Sequence, residues 1–132
     1  TLSARDGIEG LMPEFARQRA ERRGRRGEGL ASWYLRLKGW RILDTRVRNP
    51  RGEVDLVAKR GRVVAFVEVK WRRHVSDLDQ AIDEFRLRRV AAAAGAAAHN
   101  YAKNGEDVRI DVILVAPWRW PRHIANAWQP WS

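Results

Sequence analysis

Gly52-Glu53-Val54-Asp55-Leu56-Val57-Ala58-Lys59-Arg60, then Gly61-Arg62, then Val63-Val64-Ala65-Phe66-Val67-Glu68-Val69-Lys70, is the stretch from which the fold follows. Both flanking runs are rich in β-branched residues, and the residues between them are turn formers, which is the pattern of an antiparallel hairpin. A two-residue Gly61-Arg62 loop pairs Arg60 with Val63. Counting back from that pair, Asp55 is expected to face Glu68, and Glu53 to face Lys70. Because side chains alternate along a strand, Val64, Phe66, Glu68 and Lys70 share one face.

Carboxylates placed directly opposite one another have Cβ atoms about 5 Å apart and repel. Lys70 offsets part of that charge, and a divalent cation held by Asp55 and Glu68 would offset more. Two carboxylates with water in the remaining positions suit Mg²⁺, an octahedral oxygen-seeking ion. Glu28 is a candidate third ligand, direct or through water. The plainer alternative is a surface pair, or an ion-pair network without metal, neutralised by Lys70. Either reading depends on register, since a slip of one residue sends the two acids to opposite faces.

Outward from the hairpin, residues 40–48 read as a further strand joined to it through Asn49-Pro50-Arg51-Gly52, again turn chemistry. Before it, Leu30, Trp33, Tyr34 and Leu37 recur at helical spacing, and Gly39 supplies a stop. Glu28, Ala31 and Leu35 make a second stripe on that helix, the one expected to face inward. After the hairpin, Ser76 and Asp79 open a long helix expected over 77–101, whose alanine-rich run 91–98 allows close packing. Residues 109–116 read as a strand that is able to lie parallel to an earlier one. The tail 118–132 is expected to be irregular. The order α-β-β-β-α-β predicts an α/β fold with a mixed sheet, in a single domain over 17–132 behind a weakly ordered lead-in over 1–16.

The whole chain of 132 residues carries 26 Lys and Arg against 16 Asp and Glu, a net charge of +10. Such a surplus is self-repulsive, and a polyanionic partner is the usual reason to tolerate it, so nucleic acid, most simply DNA, is the expected partner. A 45% hydrophobic content with seven Trp argues against wholesale disorder. With no cysteine there is no disulfide framework and no thiolate zinc site, which fits a reducing, cytoplasmic setting. No stretch is apolar for long enough to span a bilayer, and residues 1–28 lack the apolar core of a secretory leader. His74, His99 and His123 show no metal-ligand spacing, and a solvated loop explains His74 better than proton transfer does.

Three ordered motifs carry a resemblance to a known family. Arg26-Gly27-Glu28, Gly52-Glu53-Val54-Asp55-Leu56-Val57 and Phe66-Val67-Glu68-Val69-Lys70 resemble the signature of the YraN family, also catalogued as UPF0102. Asp111-Val112 and Asn126-Ala127-Trp128 agree at the far end. The resemblance implies a PD-(D/E)XK restriction-endonuclease-like αβββαβ core with a mixed central sheet flanked by helices, similar to archaeal Holliday-junction resolvases. It also implies that Asp55 and Glu68 are the metal-binding carboxylates, Lys70 the motif lysine and Glu28 the helix-borne acid. Where the family commonly has a Lys-Gln pair, this chain has Arg86 and Leu87, so the charge is kept and the hydrogen-bonding amide is lost.

The expected function is thus Mg²⁺- or Mn²⁺-dependent hydrolysis of DNA phosphodiesters, branched DNA included, by Asp55, Glu68, Lys70 and Glu28. Arg46, Arg48, Arg51, Arg72, Arg73 and Arg86 would grip phosphates, which positions a strand without reading its bases. A non-catalytic nucleic-acid-binding module on the same fold is the alternative, and charge alone does not separate the two. Trp118, Trp120, Trp128 and Trp131, interleaved with Arg119 and Arg122, are read first as core or as a dimer interface and second as a surface for stacking bases. A homodimer would suit a symmetric substrate.

Overall fold

The computed structural model describes residues 27–73 and 84–128. Residues 27–37 form helix α1, followed by strands β1 (Arg41–Asn49), β2 (Gly52–Arg60) and β3 (Val63–Trp71). Helix α2 (Glu84–Tyr101), β4 (Asp107–Val115) and β5 (Arg122–Ile124) complete the order. The five strands make one mixed sheet in the order β1-β2-β3-β4-β5, with β3 and β4 parallel and the other neighbours antiparallel. The expected lead-in over 1–16, the start of the second helix and His74 lie outside the described residues. Among the described residues, no helix is long and apolar enough to cross a membrane.

The hairpin forms with the expected register: Arg60 pairs with Val63, and the ladder continues to Leu56 opposite Val67. Helix α2 is the crossover that makes β4 parallel to β3. Alternation then sorts the sheet into two cores. On one face Ala31 and Leu35 of α1 pack with Trp40, Leu56, Ala58, Ala65, Val67, Ile113 and Val115. On the other, Leu87, Val90, Ala93, Ala94 and Ala97 of α2 pack with Val57, Val64, Phe66, Ile110, Val112 and Leu114. Leu87 is therefore a core residue. At the end of α1, Gly39 adopts φ +90°, a conformation that favours glycine, and Trp40 N–H donates to the Leu35 carbonyl at 2.9 Å.

One expectation is corrected. The tail is not wholly irregular, because Arg122–Ile124 pairs with Val112–Leu114 as a three-residue edge strand. A strand that short has no periodicity to detect, and its pairing is closed by Asn126 N–H donating to Asp111 at 2.9 Å. On α1 the Ala31 and Leu35 stripe is buried, as expected, and Leu30, Trp33 and Leu37 of the other stripe are exposed.

Gly52, at the β1–β2 turn, sets how closely α2 approaches the sheet. A Cβ added there would lie 2.9 Å from the Arg89 carbonyl oxygen, a backbone atom unable to rotate away. Gly52→Ala is expected to destabilise the protein by about 1–3 kcal/mol through overpacking. The measurement is the denaturant midpoint, and an unchanged midpoint would show that α2 shifts freely.

Candidate active site

The ladder between β2 and β3 stops at Leu56 and Val67, one position short of Asp55 and Glu68. Beyond it the strands are joined by a side chain: the Asp55 carboxylate accepts the Val69 N–H at 2.7 Å. The expected cross-strand pair is thus replaced by a carboxylate standing where a backbone carbonyl would accept. Asp55 and Glu68 still reach the same face, the one covered by α2. There, Glu53, Asp55, Glu68, Arg86, Arg89 and Val90 line a polar cleft of about 130 Å³.

Each acid in the cleft has a different set of partners. Glu68 is almost fully buried, and one of its oxygens accepts from Lys70 Nζ at 3.0 Å and Arg86 Nε at 3.1 Å. Glu53, expected opposite Lys70, instead pairs with Arg48 of β1 at 3.3 Å. Among the described residues no such cation pairs with Asp55, and its carboxyl is pushed up to about 6, chiefly by burial and further by the charges of Glu68, Glu28 and Glu53, with the Val69 N–H opposing. Burial likewise lowers the Lys70 ammonium, opposed by its bond to Glu68 and reinforced by Arg86 and Arg72.

Glu28 approaches from the other side, because α1 packs on the opposite face of the sheet. Its carboxylate accepts from Arg46 Nε at 3.1 Å. Arg46 sits in the middle of β1 with φ +52°, a region a non-glycine residue rarely adopts and one that often marks functional sites. Its neighbours Thr45 and Val47 pair with Leu56 and Val54, which places Arg46 opposite Asp55. Among the described residues, no three carboxylate or imidazole side chains gather closely enough to hold a metal. Of the three predicted ligands, Asp55 and Glu68 line the cleft together, and Glu28 is paired with Arg46.

The remaining predicted cations lie on β1, in the β1–β2 turn and just after β3. Arg48 is exposed on β1, Arg51 lies in the turn where its N–H donates to Asn49 Oδ1, and exposed Arg73 follows β3. Arg72, at the end of β3, donates to the Trp71 carbonyl at 2.8 Å. Arg89 was missed, although its position three residues from Arg86 places it on the same helix face. His123 was also missed. Its Nε2 lies 2.7 Å from Asp111 Oδ2 and its Nδ1 2.8 Å from Lys38 Nζ, so Lys38 donates to Nδ1 and the ring proton on Nε2 goes to Asp111.

These features define an α/β protein with a restriction-endonuclease-like core, in which a carboxylate cleft lies between the central hairpin and the second helix. The chain belongs to UPF0102: the model described as "Uncharacterised protein family UPF0102" matches residues 27–115. A curated "UPF0102 protein" of Erythrobacter litoralis (strain HTCC2594) is 69% identical over 114 residues, covering 86% of this chain and 98% of that one. One from Sphingopyxis alaskensis (strain DSM 13593 / LMG 18877 / RB2256) is 61% identical over 116 residues, 88% of this chain and 100% of that one. Another, from Rhizorhabdus wittichii, is 60% identical over 112 residues, covering 85% and 95%.

Proposed function

We propose that this protein is a metal-dependent endonuclease acting on DNA phosphodiester bonds. The observation that carries the proposal is the placing of Asp55 and Glu68 in one cleft, with Lys70 and Arg86 bonded to Glu68 and Arg89 at the rim. A protein that only binds DNA gains nothing from carboxylates beside the phosphates.

Asp55 and Glu68 would hold Mg²⁺ or Mn²⁺, which supplies Lewis-acid polarisation of a phosphoryl oxygen and acidifies a bound water. Lys70, buried and paired with Glu68, would orient that water and offset charge that develops in the transition state. Arg86 and Arg89 line the cleft from the α2 side, where a phosphate would approach, and Arg46, Arg48, Arg51, Arg72 and Arg73, which flank the site residues in sequence, would grip further phosphates. Glu28, held by Arg46, acts on Asp55 through its charge.

The test is a panel of labelled DNAs, comprising duplex, single strand, flap and four-way junction, incubated with Mg²⁺, Mn²⁺ or EDTA. Wild type is expected to cut at least one form only with the cation, and Glu68→Gln to cut none. Salt-sensitive binding without cutting in any arm would overturn the proposal in favour of a binding module, as would cutting that survives Glu68→Gln.

A further inference from the structure

The apolar stripe of α1 that fails to enter the core meets the loop after β4. Trp33 and Trp120 stack with ring centroids 5.7 Å apart and planes 6° from parallel, and Tyr34 leans on Trp120 at 6.4 Å. Core packing does not account for these rings: Trp33 is 47% exposed, Trp120 67% and Trp118 103%. Trp118 stands clear of the fold with φ +63°, directly after Pro117. That is the turn position where glycine or asparagine is normally required. A bulky side chain there is a costly choice for the backbone, and it projects an indole into water.

Charge indicates what covers this surface. The two contributing segments, residues 29–43 and 116–128, contain Arg36, Lys38, Arg41, Arg119 and Arg122 and not one Asp or Glu. Lys38 Nζ lies 5.1 Å from the centre of the Tyr34 ring. A second copy of the chain docking here through a two-fold axis would bring these cations against their own counterparts, a like-charge juxtaposition that opposes association. A polyanion carrying flat apolar rings matches both the charge and the indoles. Within a duplex, bases present only their edges, so ring-to-ring contact requires unpaired bases.

We propose that Trp33, Trp120 and Trp118 form a stacking platform for unpaired bases of a nucleic-acid strand, with Lys38 and Arg119 on its phosphates. The proposal rests on the nuclease reading for its partner and deepens it, because a substrate with both paired and unpaired segments would engage the cleft and the platform together. Trp118, two residues from Trp120 in the chain, is the most exposed of the three rings.

Binding of labelled oligo(dT) and of a duplex of equal length is measured by fluorescence anisotropy in EDTA, where cation-dependent cutting does not occur. Trp118→Ala and Trp120→Ala are each expected to weaken oligo(dT) binding roughly tenfold, with duplex binding unchanged and Trp120→Phe restoring most of the loss. Trp118→Gly relieves the backbone while removing the ring, so its melting temperature should rise as oligo(dT) affinity falls, a combination that a purely structural role does not produce. Oligo(dT) affinity unchanged in both alanine variants would overturn the platform. So would a dimer, seen by sedimentation, that these substitutions dissolve without affecting nucleic-acid binding. Failure here leaves the cleavage panel unaffected, and failure of that panel leaves a Trp-dependent single-strand binder, so the two are told apart.

Discussion

Asp55→Asn is expected to abolish cleavage and, in the absence of divalent cation, to make the protein more stable. Loss of activity should exceed about 100-fold, since even outer partners of metal ligands are commonly worth about 10–100-fold. The gain in stability follows from the raised carboxyl. In the folded protein Asp55 titrates at about 6 against an ordinary value of 3.8. As pH rises the unfolded chain loses this proton first, so the folded state loses stability between about pH 4 and pH 6, and above that the full penalty of about 3 kcal/mol is present. Asparagine keeps an oxygen to accept the Val69 N–H and carries no charge. Its melting temperature should therefore exceed that of wild type by about 5–10 °C near pH 8, and the two should converge below about pH 4. Mg²⁺ should raise the wild-type melting temperature and leave the variant unmoved. Parallel pH profiles for the two proteins would show that Asp55 carries no such penalty.

Asp111→Ala is expected to have the opposite effect and to come close to unfolding the protein. This carboxylate is fully buried and accepts from Arg109 Nε at 2.9 Å and Nη2 at 3.1 Å, from His123 at 2.7 Å and from the Asn126 N–H at 2.9 Å. Burial alone would raise its pKa, but the bonds from His123, Arg109 and Asn126 outweigh it and hold the carboxyl below its usual range. Here the folded value is depressed. The stabilisation is thus present above the ordinary carboxylate pKa and is lost only as pH falls through the folded one. Removing the acceptor strands a guanidinium, an imidazole and a backbone donor. Breaking a buried pair in this way costs about 3–5 kcal/mol, a large part of a typical total of about 5–15 kcal/mol. Urea denaturation should show that loss for Asp111→Ala and a smaller one for Asp111→Asn, which keeps one acceptor. A loss below about 1 kcal/mol would be inconsistent with a clasp that secures β5.

Asp55 and Asp111 are the same residue type on two strands of one sheet, yet one is a strain on the fold and the other a fastening. The difference lies in their partners. Asp111 meets two basic side chains as well as a backbone donor, while Asp55 meets one backbone donor and three other carboxylates close enough to raise it.

Much of this was legible in the amino-acid order because the controlling interactions are local. The hairpin register followed from Gly61-Arg62 and from the strict alternation of the flanking strands. The shared face of Asp55 and Glu68 followed from that register. The inward stripe of α1 followed from the spacing of Ala31 and Leu35, and the parallel fourth strand from the helix that precedes it. The three motifs were sufficient to place the chain in its family, since their order and spacing survive without any knowledge of contacts.

Other features depended on chain segments meeting across the sheet. Packing of α1 on the face opposite the cleft turned Glu28 towards Arg46, a partnership that no spacing within either element encodes. Arg89 joined the cleft because Gly52 lets α2 sit close to the β1–β2 turn. His123 and Asp111 met only through the short pairing of β5 with β4. The exposure of Trp33, Trp118 and Trp120 was decided in the same way: helical periodicity identifies an apolar stripe, but whether a stripe is covered depends on how many neighbours the fold supplies, and α1 has two stripes with only one sheet face to bury them. Amino-acid order thus determined the elements other than β5, the hairpin register and the acids of the cleft, because alternation and turn chemistry act over a few residues. Tertiary structure alone decided which charges are compensated and which aromatic surface stays open, because both are set by groups far apart in the chain.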